Sequence, residues 1–474
     1  MTTPFQRTRI ATALAGIALA LTAGYAYPAA FALQETSGSG LGNAFAGGAA
    51  AAEDASGMWA NAAAMSKMTK SQLSGGVDLV NFSAKFNNNG SLPALNQPLS
   101  TPAGNNGGDA GSLNAVPNVY AVFPINPQWT FGIGVNVPFG LITDYDSGWI
   151  GRYQALKSDV KTINVNPAVS FKITDNLAIG VGADYQHVKA TFSSNFNYSA
   201  GLAQAATAAA AGGLIPPSLV PTIVAATPGL DSYVNINGDD YAWGWNIGLL
   251  WDVDKNMRIG AQYRSGFSYN ISGNVSFQNP ALPSNLPPPL APVVAGLAAQ
   301  VNAALFNGGV TADIKFPSIS NASVFYRLDD KWDLMGDLQY THWSVLQNLT
   351  FVRTTGAVLQ STPENFRNTW RFAVGTNYHY DDKWTLRAGY AYDQTPVNST
   401  DLTPRLPDNN RNWLTIGAQY KWTNDLALDF GFAYIWISDP QINQNAGSTA
   451  QNGLIKGNYS ADVQIYGVQL TYSF

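Results

Sequence analysis

The chain has 474 residues, with 12% charged and 12% aromatic side chains, a net charge of −5 and a mean hydropathy near zero. So low a charged fraction is about half that of an ordinary soluble domain, which argues against a cytoplasmic enzyme surface, and the small negative charge argues against a nucleic-acid partner. There is no Cys, and the three His (His187, His342, His379) lie far apart, so the sequence offers no disulfide, no thiolate nucleophile and no recognisable metal or cofactor site.

At the N-terminus, Arg7 and Arg9 precede the apolar run "IATALAGIALALTA", which is followed by small residues. A positive flank, a short apolar core and a small-residue cleavage region make a secretory signal peptide, assigned to residues 1–28 with cleavage near Ala26 to Ala30. The run is too short to cross a bilayer as a helix, which takes roughly 20 apolar residues. No later stretch is long, apolar and free of Pro and Gly. The expectation is an exported protein with no helical membrane span.

Residues 29–69 contain "SGSGLGNAFAGGAAAAEDASGMWANAAAM", with neither helical nor strand periodicity. A solvated linker would not need Leu41, Phe45, Met58 and Trp59. Small side chains let a chain fold back on itself in a confined space, and Gly permits otherwise forbidden turns. The spacing "GSGLG" lacks the strand, helix and acidic residue that a phosphate loop requires.

From residue 70 to 474 one theme repeats: about ten residues of alternating character, then a turn. In "WRFAVGTNYHYDDKWTLRAGYAYD", Phe372, Val374, Thr376, Tyr378 and Tyr380 share one parity, and after the turn Trp384, Leu386, Ala388, Tyr390 and Tyr392 share another. Side chains alternate across a strand, so each has a greasy and a polar side. The polar side carries Gly, Ala, Asn, Thr and Gln rather than the charges of a solvated sandwich face. Aromatics collect at strand ends, as membrane interfaces favour. These features predict an all-β fold, a transmembrane barrel of about fourteen antiparallel strands in the bacterial outer membrane, surrounded by its lipid. A lumen that wide needs filling, and residues 29–69 are the candidate plug. The terminal strand "YGVQLTYSF" ends on Phe474, which resembles the signal read by the barrel assembly machinery.

Within the wall, "VNVPFGLI" places Pro138 and Gly140 in a strand, where Pro cannot donate to the ladder; a local gap there would let an apolar molecule leave sideways. Two long inserts, Ala200–Leu230 and Asn279–Gly309, contain no charged residue. The first offers Leu214, Ile215, Leu219, Val220 and Ile223, the second Leu297, Val301 and Leu305 at helical spacing. Either the inserts pack only on each other, or they leave an apolar groove between them. By strand parity Arg264, Arg367, Arg371 and Arg387 point inward; Arg264, Arg367 and Arg371 are the candidates for an acidic head group, with pairing to nearby carboxylates as the bland alternative.

The stretches "FALQETSGSGLGNAFAG", "AEDASGMWANAAAM", "VPFGLITDYDSGWIGRYQALKSDVKTINVNPAVSFKI", "WGWNIGLLWDVDKNMRIGAQYRS" and "RLPDNNRNWLTIGAQYKW" resemble the long-chain fatty acid transporters of bacterial outer membranes, the FadL type, which include aromatic-hydrocarbon channels. The resemblance covers nearly the whole mature chain. It implies a fourteen-stranded barrel, a hatch at the front end, a low-affinity entry site at the apolar loops and a kinked third strand against the hatch, with Phe31, Leu33, Asn61, Ala62, Ala63, Pro138 and Gly140 as the hatch and gate residues. One departure stands out: the family's hatch carries Asn-Pro-Ala where this chain has Asn61-Ala62-Ala63. The expected function is passive uptake of a fatty acid or other hydrophobic small molecule. An aromatic hydrocarbon, a general porin and an outer-membrane enzyme are the rivals, the last without a recognisable nucleophile and base.

Overall fold

The computed structural model describes residues 30–101, 105–445 and 451–474; the signal peptide assigned to residues 1–28 lies outside the described residues. Fourteen passages across the wall are formed by β1 (Gln72–Asn88), β2 (Leu113–Pro124), β3 (Trp129–Asn136, resumed at Gly140–Asp144), β4 (Lys157–Thr174) and β5 (Leu177–Asn197). They continue through β6 (Asp231–Asp252), β7 (Met257–Arg264 and Phe267–Gln278), β8 (Gly308–Phe316 and Ile319–Arg327), β9 (Trp332–Thr341 and Asn348–Arg353) and β10 (Val358–Pro363 and Thr369–His379). The last are β11 (Trp384–Asp393), β12 (Arg411–Lys421), β13 (Leu426–Ile437 and Gln441–Gln444) and β14 (Ile455–Ser473). Neighbours pair antiparallel throughout, and β14 returns to β1 from Gln72↔Ser473 to Asn88↔Gly457, so the sheet closes. Closure at this seam leaves neither the first nor the last strand as a free edge, the requirement a bilayer imposes on a sheet.

The alternation read from the sequence is the alternation of the wall. On β10, Phe372 and Val374 are exposed while Arg371, Ala373 and Asn377 are buried. On β6, Trp243, Trp245, Ile247, Leu249 and Trp251 all point out. Tight turns at one end share a device: Asp254, Asp329 and Asp381 each accept two backbone N–H bonds, from the residues two and three positions later. Such Asx turns pre-form the reversal. The residue after the turn is Trp at 332 and 384, where it packs on Tyr378 (4.6 Å) and Tyr420 (4.7 Å) of the neighbouring strand. The long connections lie at the other end.

Residues 30–69 run inside this barrel. They contain two single-turn helices, Gly38–Leu41 and Gly57–Ala60, and a 3₁₀ segment, Ala62–Lys67. Glycines of the wall make the fit possible: a Cβ at Gly260 would strike Ala49 O, at Gly248 the Asn61 side chain, and at Gly389 the Asn43 backbone. The small residues of the front end and the inward-facing glycines of the strands are two halves of one contact, where backbone meets backbone.

Candidate functional site

Polar groups fasten the lower part of the plug. Arg387 bridges Glu53 (2.9 Å) to the wall residue Asp429, and Arg258 donates to the carbonyls of Ala50 (3.0 Å) and Ala51 (2.7 Å). Lys67 pairs with Asp252. Arg264 pairs with buried Asp184, donates to Trp59 O at 2.8 Å and lies 3.4 Å over the Trp59 ring. The Asn61 side chain donates to Ala49 O (2.7 Å) and Leu249 O (2.8 Å) and accepts from Ala63 N (2.9 Å), so it caps the 3₁₀ segment without help from a proline. Ala62 occupies the first helical position, where a proline's missing N–H costs nothing; replacing Pro by Ala there leaves the turn intact.

The first described residues are held differently. β3 breaks between Asn136 and Gly140: Asn136 pairs with Asn164 and Gly140 with Lys161, so three residues oppose two, a bulge. At the bulge Thr162 holds Phe139 with both its backbone N–H, which donates to Phe139 O (3.2 Å), and its hydroxyl, which accepts from Phe139 N (2.9 Å) and donates to Phe139 O (2.7 Å). On the other side of β3, pairing to β2 stops at Val119↔Val135. Beyond that rung Leu113 to Asn118 pair only with β1, and the resumed half of β3 has no partner from β2. The wall therefore has a gap. Phe31–Leu33 covers its inner side as a fragment of strand, with Gly140 N donating to Phe31 O and Leu33 N donating to Pro138 O, both at 2.8 Å. The Phe31 ring sits among Trp343 (4.7 Å), Phe316 (5.0 Å) and Phe139 (6.0 Å).

Above this latch is an apolar chamber of about 60 Å³, floored by Phe31 and walled by Leu141, Val160, Phe192, Phe316 and Phe366. Below it a mixed pocket of about 110 Å³ runs through the plug, past Leu33, Trp59, Pro138, Arg264 and Arg371. Outside, a groove of about 520 Å³ reaches from Phe196, Phe277 and Leu305 down to Thr403 and Arg405. Thr403 and Arg405 also line the chamber, so the two spaces share a wall. At the opposite end the mouth is a charged vestibule of about 450 Å³, with Lys67, Asp252, Arg258, Arg327, Asp333 and Lys421 around it.

The structure separates the residues expected from sequence. Phe31, Leu33, Pro138 and Gly140 meet at the latch, and Asn61, Ala62 and Ala63 at the plug's base. Arg264 and Arg371 face inward but are engaged: Arg371 donates to Ala44 O at 2.7 Å, and both line the mixed pocket rather than the apolar chamber. Arg367 requires correction. It is exposed, because β10 resumes only at Thr369 and strand parity does not hold before it; its Nε bonds to Thr395 O (3.2 Å). The inserts form helices α1 (Tyr198–Ala211), α2 (Leu219–Ala226) and α3 (Ala291–Ala304) that pack on one another. Ile223, Leu297 and Val301 are buried in that contact with Tyr198 and Leu202, so mutual packing, not an open groove, is their role. Leu214 is 76% exposed, Ile215, Leu219 and Val220 are half-buried, and Leu305 lines the outer groove. Arg405 was missed by sequence reasoning because it lies between β11 and β12, where alternation gives no direction.

A closed wall, greasy outside, with an internal plug and a covered gap, defines a transmembrane transport barrel rather than an open pore. The chain belongs to the family described as outer membrane protein transport protein (OMPP1/FadL/TodX), whose model matches residues 19–474, and it is a protein of the bacterial outer membrane. It is 28% identical to the long-chain fatty acid transport protein of Escherichia coli O157:H7, over 99% of this chain and all of that one. It is 30% identical to outer membrane protein P1 of Haemophilus influenzae, over 97% and 98% of the two chains. Among solved structures, a Pseudomonas aeruginosa FadL homologue superposes with a TM-score of 0.80 at 25% identity, covering 94% of this chain and 100% of the other. The Pseudomonas putida toluene transporter TodX superposes at 0.63 and 17% identity, over 89% and 94%, and shares the fold.

Proposed function

We propose that the protein takes up long-chain fatty acids across the outer membrane by diffusion, without an energy source. Capture begins at the outer groove beside the loop helices, continues into the chamber above Phe31, and ends in sideways release through the gap in β3. The observation that carries this reading is the position of the chamber. It abuts Leu141 and Val160, beside the broken strand, whereas the route straight down meets the plug and then a vestibule lined with charge. Burial is worth about 0.8 kcal/mol per methylene, so an alkyl chain gains nothing by entering that vestibule and gains much by entering lipid. The fatty acid transport relative favours the same substrate class.

Four Phe rings (Phe31, Phe192, Phe316, Phe366) around a small chamber favour a second reading, uptake of monoaromatic hydrocarbons. Uptake of labelled oleate and labelled toluene by a strain lacking the protein, with and without complementation, decides between them. The first reading expects oleate uptake to depend on the protein and toluene uptake not to; the reverse result would overturn it.

A further inference from the structure

The lipid-facing side of β4, β5 and β6 changes character at one level. Every second residue over 163–173, 177–185 and 241–251 faces outward, and none of these is charged. The stretch 241–251 covers about 33 Å along its strand, or about 25 Å once tilted, the height of a barrel's apolar band. At its loop-side end the Tyr185 ring packs on Tyr241 (5.5 Å) and Trp243 (4.7 Å), and His187 stacks on Tyr241 (4.4 Å), an interfacial girdle. The next outward rung is Lys161, Lys189 and Asp239, paired side by side across the three strands. Lys161 and Lys189 are thus directly opposite, and like charges so placed destabilise a sheet. The nearby carboxylates are engaged: Asp159 with Lys161 (3.1 Å) and Asp239 with His187 (3.2 Å). Lys189 is exposed and has no salt bridge among the described residues.

We propose that Lys161 and Lys189 bind the phosphate of an outer-leaflet lipid, whose acyl chains lie on the girdle and the apolar wall beneath. A phosphate between the two ammonium groups replaces their repulsion with charge-assisted bonds. Free phosphate meets the same two lysines but leaves the apolar surface unused, whereas a lipid engages both, so the occupant is a lipid. Lys161 opposes Gly140 on the ladder, so the bound lipid stands against the broken strand β3. The site goes beyond the uptake reading and does not depend on it.

Equilibrium binding to the full-length protein in detergent tests this, with lipid A carrying its phosphates, the same lipid A stripped of them, and inorganic phosphate as competitor. Heat-modifiable gel migration reports that the barrel is folded. The wild type should bind the phosphorylated lipid at least tenfold more tightly than the stripped one, and millimolar inorganic phosphate should not displace it. Lys161→Gln with Lys189→Gln should abolish that preference and change binding of the stripped lipid less than twofold. If the double variant does not fold, Lys189→Gln alone should weaken binding of the phosphorylated lipid at least threefold. Lys255→Gln, at the opposite end of the barrel, should change neither lipid. Equal binding of both lipids by the wild type, or a preference kept without the two lysines, would overturn the proposal. So would displacement by inorganic phosphate, which would mark an anion site without a lipid, or an equal loss in Lys255→Gln, which would trace the preference to overall charge.

Discussion

The amide of Gly140 donates to the carbonyl of Phe31 at 2.8 Å, and this bond joins the plug's first described residues to the broken strand of the wall. The ring of Phe31 is at once the floor of the apolar chamber and the wedge of the latch. Phe31→Ala should therefore remove roughly 3 kcal/mol of latch docking. Oleate affinity should fall by an order of magnitude or more, with the barrel still folded. Titration of the variant with oleate checks this.

Plug and wall meet backbone to backbone at Gly260, where any β-carbon would strike Ala49 O. Gly260→Val should displace the plug without breaking strand pairing, since valine suits a strand. Planar-bilayer recordings should show steady conductance in the variant and silence in the wild type. A silent variant would mean that the plug accommodates the side chain by shifting locally.

Ala62 stands first in the 3₁₀ segment capped by Asn61. Ala62→Pro fixes a backbone angle that the segment already favours and so should stabilise by about 0.4–1 kcal/mol through the unfolded state. A rise in thermal midpoint with unaltered uptake is the expected result.

Much of this architecture was legible in the sequence, and the reason is geometric. A barrel wall has one lipid face along its whole length, so Phe372 and Val374 announce themselves by parity, and Arg371 and Asn377 fall on the other side without further information. The plug was legible through the excess of small residues, and the broken strand through Pro138. Parity ends where strands end, however. It placed Arg367 on the lumen face two residues before β10 resumes, and it had nothing to say of Arg405. The loop helices show a different limit. Apolar spacing identified α3, but an apolar face looks the same whether it awaits a ligand or, as with Ile223 and Leu297, another helix.

Glu35 lies in the plug, fully buried, with neither carboxylate oxygen hydrogen-bonded among the described residues. Burial is the main cause that pushes it up to about 8, with Asp78 of β1 raising it further and Arg411 of β12 and Arg371 of β10 opposing. A carboxyl raised above its unfolded value binds its proton more tightly in the folded plug, so its stabilising effect is lost as pH rises towards and through about 8. Plug docking should weaken over that window, seen as rising bilayer conductance. Glu35→Gln, which keeps the shape and cannot ionise, should abolish the dependence. Equal pH dependence in wild type and variant would assign it elsewhere.

On the uptake reading proposed above, cargo leaves only when Phe31–Leu33 moves off the gap in β3. Ala32 and Phe139 are paired across it, and the chain has no native Cys, so Ala32→Cys with Phe139→Cys gives a single disulfide stapling latch to wall. Uptake of labelled oleate by cells carrying this pair should fall at least tenfold on oxidation and return on reduction. Undiminished uptake through the stapled protein would contradict the account.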